Sequence, residues 1–122
     1  RLIGDGTVTG VRLDHIDGLF DPATYMNRLQ SAVLTERVAR FVTQANRPDD
    51  APALLEWGRA EGQADPNGPA SKPLYLIVEK ILSGTEVLPA WRGEGTSGYD
   101  FMNDVSRLFV NPRSAPAMKQ IY

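Results

Sequence analysis

The hydrophobic and polar positions along the chain follow two different rhythms. In GVRLD, Gly10 to Asp14, apolar Val11 and Leu13 interleave with charged Arg12 and Asp14, the two-residue period of a strand with one covered face. This predicts a strand over residues 8–13, preceded by the end of a short helix and a Gly-rich turn in LIGDG. Asp21 and Pro22 then supply an N-cap and a first helical residue. Tyr25, Met26, Leu29 and Val33, followed by Leu34, Val38, Phe41, Val42 and Ala45, recur at helical spacing and predict one long helix or two over 22–45. NRPDDAP breaks that period, and ALLEWGRAEG predicts a shorter helix ending near Gly58 or Gly62.

A loop rich in Pro, Gly, Asn and Asp occupies residues 63–73. The run LYLIVEKIL after it is almost continuously apolar and predicts a strand buried on both faces, as in parallel sheets covered by helices. On such a strand Tyr75, Ile77 and Glu79 share one face, and Leu76, Val78 and Lys80 the other. GTEVLPAWRGEGTSGYDFMN reads as mostly loop, with a short strand over 99–102, and helices are expected over 103–108 and after Ser114. Strands alternating with helices define an α/β architecture.

Composition narrows the classes. A chain of 122 residues is one domain or a piece of one, and its 42% hydrophobic and 23% charged residues suit a packed protein rather than a disordered one. The net charge of −2, with no local Lys/Arg cluster, gives no footprint for nucleic acid. With no Cys, disulfides, thiolate metal sites and cysteine nucleophiles are excluded, and a single His makes a multi-histidine metal site improbable. No apolar run approaches the roughly 20 residues that cross a bilayer, and no leader-like segment is recognised, so the expectation is a cytoplasmic protein without a membrane partner.

In parallel α/β folds, functional groups gather at the C-terminal ends of strands. Asp14 follows GVRL and Glu79 follows LYLIV, so both acids fall at that place and neither serves a core. Two carboxylates flanking a sugar act as nucleophile and acid/base in retaining glycoside chemistry when about 5–5.5 Å apart. Arg12, on the face of Asp14, would keep that carboxylate ionised and oriented. Glu79 has to carry a proton in the first step, which calls for a less compensated, partly desolvated setting. The plain alternative for R-x-D is a surface ion pair, and for a Glu ending a strand, a solvated edge.

Three segments in order, GVRLDHIDGLFDP, LYLIVEKIL and GTSGYDFMNDVSRLFVNP, closely resemble the maltooligosyltrehalose synthase family of the α-amylase superfamily, over about residues 2–45 and 73–122. The resemblance implies a central piece of a (β/α)8 TIM barrel, about strands four to six, with residues 46–72 as a helical insertion. It implies Asp14 as nucleophile with Arg12 beside it, Glu79 as acid/base, and Tyr99 and Asp100 near the sugar. It raises a substrate contact for His15 beside the default of a packed or hydrogen-bonded histidine. Ser97 departs from the family's usual threonine, and the superfamily's third acid and its other histidine motif have no counterpart in the chain. The implied reaction is intramolecular transglucosylation, converting the reducing-end α-1,4 linkage of a maltooligosaccharide into an α,α-1,1 linkage, with no cofactor and no metal. The chain alone is expected to be inactive and to self-associate. The rivals are an α-glucan hydrolase of the same superfamily and a non-catalytic α/β interaction or binding module.

The remaining conspicuous residues read as structural. Asp17 suits a turn cap, Lys80 a surface or interface role opposite Glu79, and Trp57 packing on an amphipathic helix. Trp91, in a Gly/Pro-flanked loop, is open between stacking on a sugar and acting as a packing lid. Leu34, Val38, Phe41 and Val42 form a core or interface stripe, and GEGTSG lacks the Lys of a phosphate loop.

Overall fold

The computed structural model describes residues 2–121. Three short strands, β1 (Gly10–Leu13), β2 (Tyr75–Val78) and β3 (Gly95–Thr96), lie side by side in that order. All pair in parallel, with Arg12 opposite Ile77, Leu13 opposite Val78, and Val78 opposite Thr96. The architecture is thus α/β with a small parallel sheet and four helices: α1 (Pro22–Gln44), α2 (Ala51–Ala64), α3 (Asp100–Leu108) and α4 (Ala115–Ile121).

Helix α1 forms where the sequence places its signals. The Asp21 carboxylate accepts from Thr24 N at 2.9 Å, and Pro22 occupies the first turn, where its missing N–H costs nothing. That hydrogen bond holds Asp21 below its ordinary 3.8, so the cap contributes fully above that pH and fades as pH falls through the lower folded value. The other end closes on Asn46, at φ 54°, with Asn46 N reaching Thr43 O and Arg47 N reaching Val42 O. These two bonds satisfy carbonyls that the last turn leaves over, and Asn tolerates the left-handed conformation better than most residues.

Met26, Gln30 and Val33 on α1 are buried at helical spacing. Met26 packs with Ile16, Leu76 and Val78, and Val11, Leu13, Leu29, Leu88 and Trp91 surround that cluster. Trp91 is therefore a lid on the core. Among these apolar groups sits the Gln30 amide, completely buried. Its nitrogen donates to Leu74 O at 2.9 Å and Arg92 O at 3.0 Å, and its oxygen accepts from Leu74 N at 2.9 Å. The amide thereby ties α1 to the entry of β2 and to the loop leading into β3.

Several expectations are corrected. Residues 2–6 form turns, closed by Gly6 N on Ile3 O, in place of a helix end. The strand in LYLIVEKIL stops at Val78, and its Leu76/Val78 face is the buried one; Tyr75 on the other face is 57% exposed. Residues 99–102 form no strand: Asn103 N bonds Tyr99 O and opens α3, and the strand is Gly95–Thr96 instead. Trp57 is 62% exposed. Helix α2 meets α1 through Gly58, where an added Cβ would lie 3.3 Å from Leu34, and this turns the neighbouring Trp57 outward.

The Gln30 amide yields a stability prediction. Gln30→Met keeps the volume but leaves the buried Leu74 N and Leu74 O, and the half-buried Arg92 O, without their partner. The loss is expected to be about 2–4 kcal/mol, read as a lower urea midpoint at unchanged slope. An unchanged midpoint would remove the amide from its structural role.

Candidate active site at the C-terminal ends of the strands

The parallel ladder continues one step beyond the strands. Glu79 N donates to Leu13 O at 2.7 Å, and Ser97 N donates to Val78 O at 2.8 Å. Asp14, Glu79 and Ser97 therefore stand in a row along one edge of the sheet, each the first residue after its strand. The alternation that sends Val11, Leu13, Leu76 and Val78 into the core sends Arg12 and the two acids to the opposite face.

Arg12 joins the row. Its Nη1 donates to Asp14 Oδ1 at 2.7 Å, its Nη2 lies 3.7 Å from Glu79 Oε2, and its Nε donates to Ser97 Oγ at 2.8 Å. One planar guanidinium thus addresses three neighbours in three directions, a geometry lysine lacks. Hydrogen bonding with the Glu79 carboxyl, then with Arg12, holds Asp14 below the usual carboxylate range. The two acids differ in setting: the Asp14 side chain is 71% exposed and that of Glu79 23%.

His15 follows Asp14 in the left-handed conformation, φ 51° and ψ 42°, uncommon for a residue with a Cβ. The turn aims its main-chain N–H at Glu79 Oε2, 3.3 Å away. Its ring is largely exposed and lies against Gly18, where a Cβ would fall 2.6 Å from the imidazole; its Nδ1 is 3.7 Å from Asp17 Oδ1. The structure therefore brings Arg12, Asp14, Glu79 and the His15 backbone together. Among the described residues no hydrogen bond or ion pair joins Tyr99 or Asp100 to them, and both are exposed at the start of α3. Lys80, on the other face, bonds Glu86 at 2.6 Å with Asp17 4.0 Å away, so Asp17 serves both His15 and Lys80.

Ser97 and Thr96 were missed as site residues. Ser97 stood out only as a departure from the family's threonine. Nothing local in GTSG announces that its hydroxyl meets an arginine 85 positions earlier. Among the described residues no group of three or more His, Asp or Glu is placed to hold a metal. No helix among them is long and apolar enough to cross a membrane.

In open α/β sheets ligands bind beyond the carboxyl ends of the strands, and the arginine-bridged carboxylate pair lies at that place. No family model matches the chain, and no solved structure matches it. Among curated proteins it is similar to a protein named "Putative maltooligosyl trehalose synthase" in two strains of Mycobacterium tuberculosis, CDC 1551 / Oshkosh and ATCC 25618 / H37Rv. The identity is 27% over 114 residues, which is 93% of this chain but 10% of each relative. The similarity is weak, and it points to the same kind of protein as the three motifs.

The backbone at His15 is testable apart from any activity. His15→Val, β-branched at φ 51°, is expected to be about 1–2 kcal/mol less stable than His15→Gly, which adopts that conformation freely. Chemical denaturation of the two variants measures the difference, and equal midpoints would refute the strained turn.

Proposed function

We propose that the chain is part of a longer α-glucan-processing enzyme that transfers glucosyl groups with retention. The observation that carries this reading is the single Arg12 guanidinium between Asp14 and Glu79 at the ends of adjacent parallel strands. Asp14, kept ionised by its hydrogen bonds, attacks the anomeric carbon. Glu79, the more enclosed acid, gives its proton to the leaving glycosidic oxygen. Arg12 addresses both carboxyls as they stand; with a glycosidic bond between them the carboxyls would lie about 5–5.5 Å apart. The covalent glycosyl ester on Asp14 is then resolved by a hydroxyl that Glu79 deprotonates. In the finer reading that hydroxyl is the anomeric one of the released glucose, which gives an α,α-1,1 linkage. Water excluded from the pocket keeps hydrolysis from competing. Two features support the finer reading: the ordered motifs, and the weak similarity to a protein named for trehalose synthesis. In this reading residues 46–72 are an insertion on a barrel.

In the longer enzyme, Asp14→Asn and Glu79→Gln are each expected to lower turnover of a maltooligosaccharide at least about a thousandfold, since each carboxylate serves an obligatory step. Glucan binding should stay within a few-fold. Chromatography of the products separates trehalose-terminated sugars from glucose, and near-normal turnover in either variant removes that residue from its role.

The 122-residue chain by itself is expected to be inactive and to self-associate. Phe101, Leu108 and Phe109 stand exposed on and just after α3, and the Tyr75 face of the sheet is uncovered. Light scattering on the purified chain checks this, and a monodisperse monomer that turns over maltopentaose would overturn it.

A further inference from the structure

The segment after β3 does more than follow a strand. Thr96 Oγ accepts from Lys80 N at 3.0 Å, donates to Lys80 O at 2.9 Å and accepts from Gly98 N at 3.0 Å. This one hydroxyl fastens the chain just after β3 to the chain just after Glu79. The fit is close: a Cβ on Gly98 would fall 2.5 Å from Lys80 O, so the turn requires glycine there. Ser97, between the fastened residues, is exposed, and its hydroxyl accepts from Arg12 Nε.

A guanidinium held only by Nη groups can swing about its stem. The third contact, at Nε, fixes the plane, and with it the directions in which Nη1 and Nη2 face Asp14 and Glu79. We propose that Ser97 is a positioning residue, which sets the Arg12 guanidinium between the two carboxyls, and that Thr96 holds Ser97 in place for it. This deepens the glycosyl-transfer reading and rests on it for its catalytic consequence; the geometric part stands separately.

The titratable and charged groups facing Asp14 are Glu79, Arg12 and His15. Releasing Arg12 weakens its hold on the ionised form, so the Asp14 titration moves up toward its ordinary 3.8. Ser97→Ala removes only the hydroxyl and leaves the Ser97 N bond to Val78 O in place, so the fold is retained. Ser97→Thr keeps a hydroxyl at the same atom.

The test titrates the Asp14 carboxyl carbon by NMR in this chain for wild type, Ser97→Ala, Ser97→Thr and Thr96→Val. The midpoint is expected to rise in Ser97→Ala and Thr96→Val, and to stay at the wild-type value in Ser97→Thr. A Ser97→Ala midpoint identical to wild type, or a rise in Ser97→Thr equal to that in Ser97→Ala, overturns the proposal. In the longer enzyme, Ser97→Ala should lower kcat about tenfold to a hundredfold with KM nearly unchanged, and move the acid limb of the pH profile upward. Ser97→Thr should restore both. Shifted midpoints in a protein that turns over no glucan would uphold the positioning and overturn the glycosyl-transfer reading. An unshifted midpoint in an active enzyme would do the reverse.

Discussion

Three parallel strands must end on the same side of a sheet, and here the ladder hydrogen bonds decide which residues meet there. Leu13 O receives Glu79 N, and Val78 O receives Ser97 N. A slip of one residue in either pair would turn Glu79 or Ser97 toward the core face and dissolve the cluster. Every polar contact at the site depends on this register: Arg12 reaches Asp14, Glu79 and Ser97 because all lie at the same level, one step beyond a strand.

The register is held by more than apolar burial, since the core is small. Ile16, Met26, Leu76 and Val78 form its centre. Around it, side chains bind main-chain groups that a fuller sheet would satisfy by itself. Gln30 covers both polar groups of Leu74 and the carbonyl of Arg92, the Arg92 guanidinium bonds the Ser71 carbonyl, and Thr96 joins Lys80 to Gly98. Bonds to buried and half-buried groups are directional and costly to break, so they hold the strand ends where apolar contacts alone would let them slide. Burial also weakens the tendency of Arg92 to hold its proton, but the bond to Ser71 keeps the head group occupied.

Covering of the sheet is one-sided. Helix α1 lies over the face of Leu76 and Val78, while the face that carries Tyr75, Arg12 and the acids is open. An open polar face is what a substrate-facing surface requires. The same openness leaves the apolar side chains of α3 in solvent. The site is thus mounted on the open face of a sheet whose other face is packed.

Much of this was legible in the chain of residues because its signals are local. Asp21-Pro22 begins α1, the alternation in GVRLD sets Arg12 and Asp14 on one face, and both acids fall one residue beyond strands that the apolar pattern marks. What the pattern did not determine depends on partners distant in sequence. The length of β2 was overestimated because an apolar run says nothing of how many neighbours continue the ladder, and Trp57 looked like a packing residue because helical periodicity does not say which face a glycine lets approach. Tyr99 and Asp100 were assigned by motif, and the fold sets them at the start of a helix. Ser97 took its place beside Arg12 only through folding, since a hydroxyl in a Gly-rich loop gains a role from whatever the tertiary register sets against it. Sequence determined which side chains face away from the core, because alternation is a property of the backbone; tertiary structure decided which of them touch, because contact depends on the register between strands far apart in the chain.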